Sequence, residues 1–168
     1  MQRKSSRSHA AKPPGDPVDT GLRLLGRRDH SREELRRKLS RRGHDQQAVA
    51  DAIRRINESY GLDDQAFARS YVRRRAATRG PMAIAGELAA RGIDRAAVEA
   101  ALAEYGAADQ LDSATRLAER LYDSQPGIGY REMVARIGPK LLRRGFSTTI
   151  VRAACGSVFA KAAHSTED

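Results

Sequence analysis

Leu35-Arg36-Arg37-Lys38-Leu39-Ser40-Arg41-Arg42-Gly43-His44-Asp45, Ile84-Ala85-Gly86-Glu87-Leu88-Ala89-Ala90-Arg91-Gly92-Ile93-Asp94 and Ile137-Gly138-Pro139-Lys140-Leu141-Leu142-Arg143-Arg144-Gly145-Phe146-Ser147 are three versions of one segment. Gly92 lies 49 positions after Gly43, and Gly145 lies 53 after Gly92. The apolar frame repeats with the glycine. Leu35/Leu39, Ile84/Leu88 and Ile137/Leu141 stand eight and four residues before it. Val49/Ile53, Val98/Leu102 and Val151/Cys155 stand six and ten residues after it. A spacing of four puts each pair on one face of a helix. A repeat of this period is the mark of a tandem array of small units.

The joint between the two helices follows from local chemistry. Glycine after the last helical turn takes the left-handed conformation that ends a helix, and the residue after it folds back onto the leucine five positions earlier. Contacts Ile93–Leu88 and Phe146–Leu141 are therefore expected. Asp45, Asp94 and Ser147 fall where a side-chain oxygen caps the next helix. Ile93 and Phe146 are placed to staple onto Val98 and Val151, with His44 as the polar variant of the same position. Further helix starts are read at Ser31-Arg32-Glu33-Glu34, a capping box, and at Gly80-Pro81. Asp63-Asp64 reads as a cap and not as an acid pair for catalysis.

One more helix precedes each joint, at about 19–28, 64–78 and 108–123. The expected fold is all-α, three tandem three-helix repeats stacked into an extended curved array. The expected boundaries are a disordered basic tail over 1–17, repeats over 18–59, 60–106 and 107–158, and a C-terminal tail over 159–168. The core prediction is burial of Leu39, Ile53, Leu88, Leu102, Leu141 and Cys155. In the third repeat, Gln125-Pro126-Gly127-Ile128-Gly129 makes a longer break. Gly138-Pro139 there implies a helix that begins at Pro139 or is kinked at it.

The formal net charge is +10 over 168 residues, with 31 Lys and Arg against 21 Asp and Glu. Residues 1–17 contribute +3, residues 18–59 +4, residues 60–106 +1 and residues 107–168 +2. Such a chain favours acidic partners: nucleic acid, an acidic protein surface or an anionic membrane. The cations cluster at Arg36, Arg37, Arg41, Arg42, Arg73, Arg74, Arg75, Arg143 and Arg144, the candidate partner-binding residues. A guanidinium fork suits phosphate and carboxylate alike. Each cluster can also be read as an ordinary solvated face.

Other chemistry finds no support. His9, His30, His44 and His164 lack metal-ligand spacing, and Cys155 is the sole cysteine, so no structural zinc site forms. Cys155 occupies a core position of the frame. Gly127-Ile128-Gly129 lacks the rest of a phosphate loop. No catalytic constellation, metal or cofactor is expected. The lone cysteine and the lack of a long apolar run point to a cytoplasmic protein with no membrane partner. The helix pairs resemble a helix–turn–helix. The helix after Asp94 is nearly all Ala, Val and Glu, so groove readout is poorly supported.

Gly61-Leu62-Asp63-Asp64-Gln65-Ala66-Phe67-Ala68-Arg69-Ser70-Tyr71-Val72 resembles the most recognisable stretch of the bacterial RecX regulatory proteins. His30 to Leu39 and the Arg-Gly-(Ile/Phe)-(Asp/Ser) joints resemble the same family, and the likeness runs from about Leu22 to about Cys155. It implies a non-enzymatic protein, taken as a monomer, that binds the filament of the RecA recombinase on single-stranded DNA. It implies inhibition of RecA ATP hydrolysis, strand exchange and coprotease activity, with single- or double-stranded DNA as a further contact. The alternative reading is a nonspecific or helix–turn–helix nucleic-acid-binding module.

Overall fold

The computed structural model describes residues 15–123 and 127–164. Nine helices and no strand occur among them: α1 (Pro17–Leu25), α2 (Arg32–Ser40), α3 (Gln46–Tyr60), α4 (Asp64–Arg75), α5 (Pro81–Ala89), α6 (Arg95–Ala103), α7 (Ala107–Tyr122), α8 (Tyr130–Leu142) and α9 (Thr148–His164). The chain divides into two units. The first ends at Leu62 and the second begins at Asp63.

The joints form as their sequence requires. Gly43, Gly92 and Gly145 have φ of 87°, 75° and 90°. The Ile93 N–H donates to the Leu88 carbonyl at 3.2 Å, and the Gly92 N–H to Ala89 at 2.9 Å. The third joint repeats both bonds, from Phe146 to Leu141 at 3.4 Å and from Gly145 to Leu142 at 2.8 Å. These two bonds absorb carbonyls that the helix end leaves without partners. The next helix is capped at once. The Ala48 N–H donates to Asp45 at 2.9 Å, Ala97 to Asp94 at 2.9 Å and Ile150 to Ser147 at 3.3 Å. Ser31 caps α2 through the Glu34 N–H at 3.0 Å, and Asp63 caps α4 through Gln65 and Ala66.

Each group of three helices closes on its own apolar cluster. In the first unit, Leu24 and Leu25 of α1, Leu35 and Leu39 of α2, and Val49, Ile53 and Ile56 of α3 are buried together with Leu62. Arg32 ties the two ends of this group together by donating to the Leu62 carbonyl at 2.6 Å. In the second unit, Phe67, Tyr71, Ile84, Leu88, Ile93, Val98 and Tyr105 form one cluster. Met133, Ile137, Leu141, Phe146, Val151 and Cys155 form another with α7. The Tyr105 hydroxyl reaches back to the Ala76 carbonyl at 2.8 Å and locks the end of α6 to the end of α4.

The two helical groups of the second unit meet through backbone. The Gly80 N–H donates to the Arg144 carbonyl at 2.8 Å, and the Met82 N–H to the Gly145 carbonyl at 3.2 Å. A Cβ on Gly80 would lie 2.3 Å from the Gly145 oxygen, and a Cβ on Gly145 would lie 2.3 Å from the Ala83 nitrogen. Only glycine at both places allows this approach.

Several expectations need correction. Pro17 is the first residue of α1, capped by Asp16, and does not belong to a tail. Residues 1–14 of the expected tail lie outside the described residues, as do Gln125 and Pro126 of the long break. Residues 159–164 continue α9, and Phe159 packs against the last cluster, so the third group runs past the expected end at 158. Of the two readings of Gly138-Pro139, a helix start at Pro139 is excluded, because α8 runs from Tyr130 to Leu142 with Pro139 inside it. Of the six expected core residues five are buried; Leu102 is half-buried, and its neighbour Ala101 takes the inner place.

Candidate partner-binding surface

Helix geometry decides what each candidate arginine can do. With Leu35 and Leu39 inward, Arg36 and Arg37 emerge on the outer side of α2, where both reach Glu33, at 2.8 and 2.9 Å. Arg41 and Arg42 follow the last turn and are exposed. Cations near a helix C-terminus are favoured by its partial negative charge.

On α4, Arg73 and Arg74 are exposed. Arg74 donates to the Ser70 hydroxyl at 2.5 Å, and its guanidinium lies 6.0 Å from the Tyr71 ring centre. Arg75 is different, because it is committed inside the unit. Its Nε and Nη2 make a forked pair with Glu87 of α5, both at 3.0 Å. The Tyr71 hydroxyl donates to the same carboxylate at 2.5 Å, and Arg79 approaches it at 3.6 Å. Arg91 lies over the Tyr71 ring at 4.5 Å. The Arg75 guanidinium holds the Glu87 carboxyl below its ordinary range, with the Tyr71 hydroxyl adding to the effect against partial burial. Burial pushes the Tyr71 phenol up, and the anionic acceptor adds to that. The cluster joins α4 to α5 with two arginines beyond what its one carboxylate balances.

At the third joint Arg143 is exposed and Arg144 half-buried. The Arg144 carbonyl is the acceptor for Gly80. The candidate residues therefore fall into two kinds. Arg36, Arg37, Arg41, Arg42, Arg73, Arg74 and Arg143 present charge outward, whereas Arg75 and Arg144 are bound up with packing. Reasoning from sequence missed Glu87, Arg79 and Arg91. Tyr71 and Arg75 stand four apart on α4, which was a signal for a shared partner, but the partner sits on another helix.

Comparison with known proteins places this arrangement. Models of the first and second three-helix domains of RecX match residues 19–55 and 63–102. The chain is 39% identical over 141 residues to the regulatory protein RecX of Xanthomonas axonopodis pv. citri, covering 82% of this chain and 85% of that one. The chain belongs to the RecX family. The RecX of Halorhodospira halophila is also 39% identical, over 83% of this chain and 86% of its own. The crystal structure of RecX from Lactobacillus salivarius superposes with a TM-score of 0.75 at 27% identity, covering 84% of this chain and 94% of that one. The RecX relatives bear the name of regulatory proteins, not of enzymes. Among the described residues no group of His, Cys, Asp or Glu is arranged to hold a metal, and no helix is long and apolar enough to cross a membrane. Cys155 is fully buried, and burial raises its thiol pKa, in keeping with a core residue.

Proposed function

We propose that this chain acts without catalysis of its own, by binding the RecA–single-stranded-DNA filament and slowing its ATP hydrolysis, strand exchange and coprotease activity. Membership of a family of named regulatory proteins supports a regulatory role. The observation that carries the binding reading is the recurrence of outward arginines before the first and third joint glycines, together with Arg73 on α4. Arg41 and Arg42 follow α2, and Arg143 follows α8, each just before a joint glycine. Arg41, Arg73 and Arg143 have no carboxylate partner among the described residues. An exposed guanidinium contributes only about 0–1 kcal/mol on its own. Several held on one chain act together through effective concentration. A filament of protein subunits on a polyanion offers the repeated acidic contacts that such a chain requires.

The second reading, a nonspecific nucleic-acid-binding module, rests on the same uncompensated arginines. Fluorescence anisotropy separates the two. The filament reading predicts markedly tighter binding to RecA assembled on a labelled single-stranded oligonucleotide than to the naked strand. Equal affinity for both overturns it. Replacing Arg41, Arg73 and Arg143 by Ala together should weaken filament binding far more than any single change, with helicity unaltered.

A further inference from the structure

The position after the joint glycine is apolar and buried in the second and third joints, as Ile93 and Phe146. In the first joint it is His44, also buried, with only 8% of its surface exposed. Its ring nitrogens are not enclosed, because the ring opens onto a cavity. The His44 ring has no hydrogen-bond partner among the described residues. It lines a cavity of about 230 Å³ whose other walls are Gly15, Thr20, Arg23, Leu24, Arg27 and Arg42.

The arrangement is set by helix periodicity. Thr20, Arg23, Leu24 and Arg27 recur at the spacing of one helix face, along α1 and the turn after it. The α2–α3 joint supplies Arg42 and His44 from the other side. Arg23 is pre-oriented by bonds to the Thr20 hydroxyl at 3.1 Å and the Asp19 carbonyl at 3.3 Å, and Arg42 by a bond to the Lys38 carbonyl at 3.0 Å. No carboxylate lines the cavity or pairs with these three arginines among the described residues. Other arginines of the chain pair with nearby acids, as at Glu33, Asp51, Glu58, Glu87, Glu99 and Glu132, although Arg41, Arg73 and Arg143 do not. Three exposed guanidiniums, the Thr20 hydroxyl and the His44 ring thus line one cavity that has no counter-charge among the described residues.

We propose that this cavity binds a phosphate group, carried by a nucleic-acid strand. A carboxylate is filled by one guanidinium fork. Three guanidiniums, an imidazole and a hydroxyl match a tetrahedral oxyanion better. The cavity is smaller than the roughly 300–1,000 Å³ of pockets that enclose whole drug-sized ligands, so the phosphate enters and the rest of the strand stays outside. The net charge of +10 over the whole chain favours a polyanion over a free ion. The inference goes beyond the filament reading, and its test contains no recombinase. Failure here leaves that reading standing, and success here does not establish it.

The test is amide and imidazole NMR of the full chain titrated separately with inorganic phosphate, a short thymidine oligonucleotide and a polyglutamate peptide. Phosphate should saturably shift the Thr20, Arg27, Gly43 and His44 signals. The oligonucleotide should shift the same set and be displaced by phosphate. Arg27→Gln with Arg42→Gln should weaken both by about tenfold or more, whereas Arg54→Gln with Arg55→Gln, removing equal charge from the same unit, should leave them within about twofold. Shifts spread over the basic faces without saturation, or equal weakening by the two variants, overturn the site. Phosphate binding with no oligonucleotide response at these signals overturns the strand as the source and leaves the free ion. Polyglutamate binding as tightly as the oligonucleotide overturns the phosphate class.

Discussion

Adding one methyl group at Gly145 should cost far more than adding it at Gly43, although both glycines end a helix in the same joint. Both are left-handed, at φ of 90° and 87°, and a side chain in that conformation costs about 1–2 kcal/mol. At Gly43 that is the whole cost, because no atom lies within 4 Å of the new Cβ. At Gly145 the Cβ would stand 2.3 Å from the Ala83 nitrogen and 2.6 Å from its Cβ. The obstacle is backbone on a helix start, so it yields only if the two helical groups part. Parting breaks the bonds from Gly80 to Arg144 and from Met82 to Gly145, each contributing about 0.5–1.5 kcal/mol. Gly145→Ala should therefore cost about 2–5 kcal/mol, against about 1–2 for Gly43→Ala. Gly80→Ala isolates the clash, since Gly80 has φ of −83° and carries no left-handed strain. Urea unfolding followed by far-UV circular dichroism measures all three. The reasoning fails if Gly145→Ala and Gly43→Ala cost the same within about 0.5 kcal/mol, or if Gly80→Ala is silent.

Gly86→Ala, at an exposed position of α5 with open space around it, should stabilise by up to about 1 kcal/mol, and a loss in the same unfolding assay would contradict the open space. Leu88→Ala, at a fully buried site, should cost about 2–5 kcal/mol; a cost near zero would show that the packing is wrong. Glu87→Gln should destabilise by about 1–3 kcal/mol near pH 7. Because the folded Glu87 pKa is lowered, its contribution is present above the unfolded carboxyl pKa and is lost as pH falls through the folded one. The gap between wild type and Glu87→Gln should then close at acid pH, and a gap that widens there contradicts the pairing. His30 has its pKa lowered chiefly by burial, and its Nε2 is buried without a partner. The unfolded chain therefore binds a proton more readily, and first-unit stability should be full above about pH 6.5 and decline as pH falls below it. His30→Gln should flatten that decline, and an unchanged slope would assign it to other groups.

What could be read in the sequence was local. Each joint writes its own instructions in four or five adjacent residues, so Gly92, Ile93 and Asp94 foretold both their backbone bonds and the cap. The inward leucines and isoleucines of α2, α5 and α8 followed from spacing alone. Features set by meetings between distant segments were not legible. The Gly80–Gly145 contact is backbone against backbone and leaves no side-chain pattern. Arg75 looked like one more surface cation, because the carboxylate that holds it lies twelve residues away on another helix. Leu102 carried the right spacing, yet a small shift in the face of α6 gave the inner place to Ala101. His44 was visible as a departure from the repeat, and only the walls around it gave that departure a chemical sense.

The central claim is tested most directly by RecA-dependent ATP hydrolysis on single-stranded DNA, titrated with this chain using the RecA of the same organism. The account predicts a saturable, salt-sensitive fall in hydrolysis, no ATPase in the chain alone, and a marked loss of inhibition when Arg41, Arg73 and Arg143 are replaced together. Full RecA activity at a saturating excess of the chain would contradict it.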